Sequence, residues 1–186
     1  DVNKAGIART FQNIRLFNEL SVEDNVKIGM HNEITYSTLD GILKNKKYYA
    51  QEKKAHDRAI ELLSIFNLEK FADVKSKNLP YGAQRRLEIA RALATEPKLI
   101  FLDEPAAGMN PQETDDLMKT IRRIRDLGIT VVLIEHDMKL VMNICDNITV
   151  LNYGQKIAQG TAAEIQSNPA VIEAYLGKDE DEEDEE

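Results

Sequence analysis

The feature that most constrains the fold is the apolar run over residues 99–102, which leads directly into Asp103, Glu104 and a proline. A continuous apolar run bounded by polar residues is typical of a strand that is covered on both faces of a parallel sheet. A second run follows at residues 131–134, after an amphipathic helical segment that Gly128 ends. This succession of strand, helix and strand predicts an α/β fold with parallel strands.

Changes of pattern along the chain predict five segments. Residues 1–20 are expected to form a strand and a loop, and Ser21 starts a helical region. The other predicted segments are a helical subdomain over 21–95, an α/β core over 96–160, C-terminal helices over 161–178 and an acidic tail over 179–186. Within the helical subdomain, periodicity predicts helices over 55–66 and 84–94.

Turn and cap signals organise the segment that follows the second apolar run. Residues 147–160 indicate two strands joined by a turn at Tyr153 and Gly154. Thr161 and Glu164 have the spacing of a capping box, which predicts a helix that stops before Pro169. Cys145 is the only cysteine and lies in an apolar-periodic stretch, so we expect a small buried core residue.

The charge of the chain is concentrated in its last eight residues. The formal net charge is −8, and residues 179–186 contain eight acids and no base. The rest of the chain balances its acids against 24 Lys and Arg, which predicts no nucleic-acid partner. Such an acidic run is typical of a solvated, disordered end, and docking of the tail on a partner is the alternative.

Membrane-spanning and secreted classes are not favoured by the composition. The longest apolar runs have four residues, whereas a bilayer span needs about 20. No charged-then-apolar signal pattern opens the chain. These observations predict a soluble, cytoplasmic protein.

Polar side chains follow both predicted strands at their carboxyl ends. Ligands bind beyond this edge in parallel sheets, so we expect Asp103, Glu104 and His136 to converge. An Asp can hold Mg²⁺ through water, a Glu can activate a water, and a His can contact a transferring phosphoryl group. Singly, an acid pair is more often a helix cap and a histidine more often a structural residue. Together they favour a phosphate site.

Five motifs along the chain resemble those of the ATP-binding subunits of ABC transporters. The stretch LIFLDEP resembles the family's Walker B strand with its catalytic Glu. The stretch LPYGAQRRLEIARALA over 79–94 resembles the family's signature loop and helix. AAGMNP lies where the family has its D-loop, Gln12 where it has the Q-loop glutamine, and His136 where it has the switch histidine. The exact forms closely resemble the ATPase subunit of branched-chain amino-acid importers, and the solute assignment depends on that resemblance alone.

The resemblance implies an incomplete RecA-like ABC ATPase core with parallel strands and a helical subdomain. It implies ATP and Mg²⁺ as cofactors, and a subunit that couples hydrolysis to transport. In this family two ATPase subunits sandwich two ATP molecules, and each nucleotide contacts the signature of the opposite subunit. The implied partners are therefore a second ATPase subunit, as homo- or heterodimer, and transmembrane permease subunits that dock on the helical region. The implied location is peripheral, on the inner face of the cell membrane.

The resemblance also implies the site residues. Glu104 and His136 are the expected catalytic residues, and Asp103 and Gln12 the expected metal-binding residues. The expected nucleotide contacts are Gln12, Pro80, Tyr81, Gly82, Ala83, Gln84, Gly108 and Asn110.

Three of these positions depart from the common family pattern. Pro80 lacks the hydroxyl of the usual serine, Ala83 replaces a Gln, and Asn110 replaces an Asp. We expect the backbone contribution of Gly82 and of the helix start to survive these changes.

The printed sequence contains no phosphate-binding loop of the form G-x-x-x-x-G-K-[ST]. Its Gly177-Lys178 pair is followed by Asp and preceded by Ile172 where the first glycine is needed. We therefore interpret the sequence as the C-terminal portion of an ABC ATPase without its Walker A loop. We expect that this portion alone does not hydrolyse ATP. Such a portion should expose apolar faces of residues 99–102 and 131–134, and aggregate or depend on a partner.

Two other functions stay open. A non-catalytic binding module would donate signature and D-loop surfaces to a partner ATPase, or dock on a permease, without turnover. An ABC ATPase of DNA repair or translation is less favoured, because no basic stripe or long coiled-coil insertion is present. The coding sequence upstream of Asp1 distinguishes the first of these from the ATPase portion, since an in-frame Walker A motif is expected only for the latter.

Overall fold

The computed structural model describes residues 2–31 and 36–176, which form two compact units. The first unit is Asp1–Glu135 and the second is His136–Glu186. The predicted acidic tail over 179–186 lies outside the described residues. In the described ranges, no helix combines the length and the apolar character that crossing a bilayer requires.

Three parallel strands organise the first unit. They are β1 (Ile7–Arg9), β2 (Leu99–Asp103) and β3 (Thr130–Ile134), in the spatial order β1-β2-β3. In the pairing of β2 with β3, Ile100 lies opposite Val131. Parallel strands need long crossover connections, and helices supply them here. The structure thus confirms the predicted α/β class with parallel strands.

The strands are not covered on both faces, which corrects the expectation from their apolar runs. Ile100 and Leu102 of β2 are buried, whereas the residues that alternate with them are half-buried. On β3, Val132 and Ile134 are 36% and 46% exposed. Along β3 the exposed residues alternate with half-buried ones, so one face of this strand is open. This agrees with the expectation of exposed apolar strand faces.

The described part of the first unit contains five α-helices: α1 (Val22–Gly29), α2 (Thr38–Leu43), α3 (Lys46–Ile65), α4 (Tyr81–Leu93) and α5 (Pro111–Asp126). Helices α1, α3 and α4 pack against one another. The apolar side chains buried in this packing include Val22, Val26, Leu62, Leu63 and Leu87. Helices α1 to α4 lie between β1 and β2 in the chain, and the periodicity over 55–66 falls in the C-terminal half of α3.

Helix α4 begins three residues earlier than the predicted start at Gln84. Pro80 is its N-cap residue, and the Pro80 carbonyl accepts hydrogen bonds from the N–H groups of Ala83 and Gln84, both at 3.0 Å. Proline and glycine in sequence suggest a loop, but both are tolerated in the first turn, where N–H groups lack helical partners. Tyr81 and Gly82 therefore belong to the helix.

The second unit contains α6 (Met138–Ile144), the strands β4 (Ile148–Asn152) and β5 (Gln155–Gly160), and the short helices α7 (Ala162–Gln166) and α8 (Pro169–Val171). A π-helical turn over Ile172–Leu176 continues α8. The two strands form an antiparallel hairpin.

The predicted turn and cap of the second unit are confirmed. Tyr153 and Gly154 have φ angles of 47° and 77°, the pattern of a tight hairpin turn. Thr161 and Glu164 form the capping box that starts α7. Cys145 is half-buried rather than a fully buried core residue, because it lies at the C-terminal end of α6. Burial raises the pKa of its thiol.

Candidate functional site

The structure brings Gln12 and Glu104 together at the carboxyl ends of two neighbouring strands. Gln12 lies in the loop after β1, and Glu104 is the residue directly after β2. The Gln12 Nε2 amide donates a hydrogen bond of 2.6 Å to Glu104 Oε2. Because β1 and β2 are parallel and adjacent, their ends present both side chains at one edge of the sheet.

Glu104 has a strained backbone. Its φ angle is 44°, in the left-handed region, which costs a residue with a side chain about 1–2 kcal/mol. The Glu104 N–H donates to the Ile134 carbonyl at 2.9 Å and so extends the pairing of β2 with β3. Strain of this kind persists where the surroundings over-determine the conformation, and it concentrates at functional sites.

Asp103 is the last residue of β2 and pairs with a cation from the neighbouring strand. Its Oδ2 lies 2.8 Å from Arg9 Nη2, and the Arg9 side chain is 56% exposed. The Asp103 N–H donates to the Thr10 hydroxyl at 3.4 Å. An ion pair with so exposed a partner contributes about 0–1 kcal/mol. The carboxylate is therefore oriented by a weak interaction that another cation can replace.

The side chains at this edge include oxygen donors of the kind that Mg²⁺ prefers. In the ranges that the structure describes, no group of three or more His, Cys, Asp or Glu could hold a metal ion. Mg²⁺ typically takes one or two carboxylates, keeps several waters and shares substrate phosphates. The side chains of Asp103, Glu104 and Gln12 offer oxygen donors of that kind at this edge.

The predicted signature residues form the first turn of α4. Pro80 gives no side-chain cap, and the first N–H groups of a helix have no helical acceptor. Gly82 is buried, and a Cβ at this position would lie 2.5 Å from Glu113 Oε1. The Gln84 Nε2 amide donates to the Leu79 carbonyl at 2.9 Å. Gln84 thus stabilises the signature loop itself.

The predicted D-loop lies against this first turn. Gly108 has a φ angle of 74°, and a Cβ there would lie 3.3 Å from Tyr81 Cε1. Only glycine meets both requirements without strain. Asn110 is the N-cap of α5, where its Oδ1 accepts from the Glu113 N–H at 3.0 Å. The Asn110 side chain, which replaces the usual Asp of the family, therefore forms a capping box with Glu113.

A buried ionic network joins α4 to the Q-loop, and the sequence analysis missed it. Arg85 is fully buried, and its guanidinium donates to the carbonyls of Phe11 at 2.7 Å and Gln12 at 2.6 Å. It also lies 3.3 Å from Glu88 Oε2, and Glu88 Oε1 accepts from the Arg15 N–H at 3.2 Å. The available signal was helical spacing, since residues 85 and 88 share a face of α4 with buried apolar positions.

His136 is exposed and is the first residue of the second unit. Its predicted position opposite Glu104 stays a prediction. Glu135, the last residue of the first unit, accepts a hydrogen bond of 3.0 Å from the Ala106 N–H through its Oε1 and so ties the D-loop segment to the end of β3.

Comparison with known proteins decides the family. A model described as ABC transporter matches residues 2–107, and one described as branched-chain amino acid ATP-binding cassette transporter matches residues 155–181. The high-affinity branched-chain amino acid transport ATP-binding protein BraF of Pseudomonas aeruginosa is 46% identical over 178 residues, which are 95% of this chain and 70% of that protein. The chain belongs to the ABC transporter ATP-binding family.

Solved ABC cassettes confirm the fold class. A cassette of an ABC transporter in its ADP conformation superimposes with a TM-score of 0.77 and is 32% identical, covering 95% of this chain and 70% of that one. A second cassette, in a dimeric post-hydrolysis state bound to ADP and Pi, has a TM-score of 0.67 and 25% identity, covering 84% and 62%. Homologues in this ABC family hydrolyse ATP.

Proposed function

We propose that this ABC protein supplies part of an ATP-hydrolysing site in an importer of branched-chain amino acids. The contact between Gln12 and Glu104, on the ends of neighbouring parallel strands, carries the proposal. It holds the acid at the edge of the sheet where α/β proteins bind ligands. The solute is supported by the similarity to BraF, a branched-chain amino acid transport ATP-binding protein, and by the family match over residues 155–181.

The residues at the strand ends take separate roles in this proposal. Glu104 orients and deprotonates the attacking water, and Gln12 holds that carboxylate in place. Asp103 binds the hydrated Mg²⁺ that accompanies ATP, and the ion neutralises negative charge on the phosphates. His136 contacts the terminal phosphoryl group.

The signature surface serves the nucleotide of a second ATPase subunit. The N–H groups of Tyr81 and Gly82, at the positive end of α4, donate to its phosphate oxygens. Pro80, Ala83 and Gln84 shape this turn, while Gly108 and Asn110 form the adjoining D-loop surface. A dimeric arrangement is described for one related cassette, which supports a dimer here.

Two further parts of the assembly complete the proposal. The 186 residues contain no Walker A motif, so the loop that holds the β-phosphate comes from residues outside them. The helical region docks on permease subunits, which places the protein at the inner face of the cell membrane.

The test compares the printed chain with the same chain expressed together with its upstream coding sequence. Calorimetric titration with Mg-ATP should detect no binding to the printed chain and saturable binding to the extended one. In the extended protein, Glu104→Gln should lower the hydrolysis rate at least a hundredfold and leave Mg-ATP binding intact, because only the acid that activates water is lost. Glu61→Gln, at an exposed acid of α3, is the matched control.

Either of two results would contradict this proposal. Full hydrolysis by Glu104→Gln would show that Glu104 does not activate the attacking water. Absence of hydrolysis with the upstream sequence included would favour the binding module, which presents its signature surface without turnover.

A further inference from the structure

Helix α2 exposes its apolar face instead of burying it. Leu39, Ile42 and Leu43 are spaced i, i+3 and i+4, so they share one face of the helix. Their exposed fractions are 69%, 72% and 74%. A helix of a globular unit normally turns such a face to the core. The polarity of α2 is therefore inverted.

Local hydrogen bonds occupy the polar side of α2. Ser37 and Asp40 form a capping box, in which the Ser37 N–H donates to Asp40 Oδ2 at 2.8 Å and the Asp40 N–H donates to Ser37 Oγ at 3.2 Å. The Asn45 amide donates to Asp40 Oδ1 at 2.6 Å, and Lys44 ends the helix with a φ angle of 46°. The polar side is thus engaged, and the apolar side faces outward.

Lysines surround this apolar face in sequence. The exposed ones are Lys44, Lys46, Lys47, Lys53 and Lys54. Over residues 36–54 they stand against two acids only, in a chain whose net charge is −8. Both acids are engaged, Asp40 in the capping box and Glu52 as acceptor of the Tyr36 hydroxyl at 2.9 Å. Five lysines against two acids give this segment a net positive charge.

Helix α3 adds an amphipathic aromatic to the same segment. Tyr49 is 60% exposed and shares a face of α3 with Lys46 and Lys53, at spacings of three and four residues. Aromatic rings with a polar tip favour the boundary between water and hydrocarbon.

We propose that this lysine-leucine patch, residues 39, 42–44, 46, 47, 49, 53 and 54, binds the surface of an anionic phospholipid bilayer. Leu39, Ile42 and Leu43 enter the headgroup boundary, and the lysine ammonium groups contact lipid phosphates while their stems lie along the apolar surface. The inference deepens the peripheral membrane location given under the proposed function.

The charge pattern favours a lipid surface over a second copy of this chain. Two copies joined through the patch would bring like charges together around the apolar face, which opposes association. An anionic bilayer instead offers phosphates across a plane and apolar tails just beneath them. Both kinds of side chain in the patch then gain contacts at once.

Vesicle flotation tests the proposal with the printed chain. It should bind vesicles of phosphatidylcholine and phosphatidylglycerol at least tenfold more tightly than vesicles of phosphatidylcholine alone, and added salt should weaken binding. Leu39→Ser/Ile42→Ser/Leu43→Ser and, separately, Lys44→Glu/Lys46→Glu/Lys47→Glu should each lower binding at least tenfold.

Matched controls exist elsewhere on the surface. Leu127 and Leu151 are 60% and 55% exposed, so Leu127→Ser/Leu151→Ser removes apolar surface at residues that are not part of the patch. The charge control is Lys119→Glu/Lys139→Glu/Lys156→Glu, at three exposed lysines. Both should leave vesicle binding unchanged. Equal losses in patch and control variants would overturn the proposal, as would equal binding to both kinds of vesicle.

A fluorescence reporter locates the contact directly. The chain has no tryptophan, so Leu43→Trp introduces a single probe in the patch and Leu127→Trp a single probe outside it. Anionic vesicles should shift the emission of the first to shorter wavelength and leave the second unchanged. A shift of neither probe, or binding only to a purified protein partner, would contradict lipid binding.

The outcome is separable from that of the ATPase proposal. Glu104→Gln should bind anionic vesicles as the wild-type chain does, because Glu104 lies outside the patch. Loss of hydrolysis without loss of vesicle binding supports both proposals. Hydrolysis that survives Glu104→Gln would contradict the first proposal and leave the vesicle result to decide the second.

Discussion

Helices α4 and α2 lie in the same unit and dispose of charge and apolar surface in opposite ways. In α4 the guanidinium of Arg85 is fully buried, with backbone carbonyls and Glu88 as partners. In α2 the aliphatic side chains of Leu39 and Ile42 stand in the solvent. Residue type alone predicts the reverse of both. The difference shows that the face of α4 with Arg85 makes contacts within this chain, whereas the apolar face of α2 is exposed.

Removal of Arg85 should give the largest effect. Arg85→Leu leaves Glu88 buried without its cation and the carbonyls of Phe11 and Gln12 without donors, so we expect a loss of about 3–5 kcal/mol in the free energy of unfolding. Arg58→Ala, which removes an exposed partner of Glu61 on α3, should cost about 0–1 kcal/mol. Urea unfolding measures both. Equal costs would mean that the buried network does not hold α4 to the Q-loop.

A matched pair of leucines should give the next effect. Leu87 of α4 is fully buried, and Leu43 of α2 is 74% exposed. Leu87→Ala should lower the free energy of unfolding by about 2–5 kcal/mol through lost contacts and a cavity, whereas Leu43→Ala should change it by less than about 0.5 kcal/mol. Thermal and urea unfolding of both variants check this. A large cost for Leu43→Ala would show that the apolar face of α2 is already covered.

Acidification should have a smaller, local effect that destabilises α2 and not α4. Hydrogen bonds from the Ser37 N–H, the Asn45 amide and the Ser37 hydroxyl hold the pKa of Asp40 below its ordinary value. The cap therefore stabilises α2 fully above the ordinary pKa of Asp, and its contribution is lost as the pH falls through the lowered pKa. The α4 cap is Pro80, which does not titrate.

An NMR titration of backbone amides measures this difference. The signals of Gly41 and Ile42 should shift with acid, and Asp40→Asn should abolish the shift because the cap no longer ionises. The first amides of α4 should not follow the same titration. Identical acid transitions in both helices would indicate general unfolding rather than loss of one cap.

Local patterns predicted most of the fold. Parallel strands, the helical region and the capping box at Thr161 follow from periodicity and turn chemistry, which depend on neighbours along the chain. The start of α4 was misplaced by three residues because Pro80 and Gly82 suggest a loop and yet suit a helix start. The prediction that β3 is covered on both faces was also wrong, because an apolar face does not reveal which segment packs on it.

The candidate site divides in the same way. Gln12 and Glu104 were predicted from motif positions, and the contact between them is short enough for a hydrogen bond. The burial of Arg85 escaped prediction, since it depends on two carbonyls that lie more than seventy residues away in the chain. Engagement of Asn110 in a capping box is local, and its spacing from Glu113 was available in the sequence.

The sequence by itself determined the order of the elements, the acids at the end of β2 and the motifs of the ABC family, because each depends on residues that are near one another in the chain. The tertiary structure alone decided which charges are buried and which apolar faces are open. Burial is a property of the partners that a surface meets, and those partners are brought together only when distant segments pack. Arg85 and the apolar face of α2 are the two clearest cases.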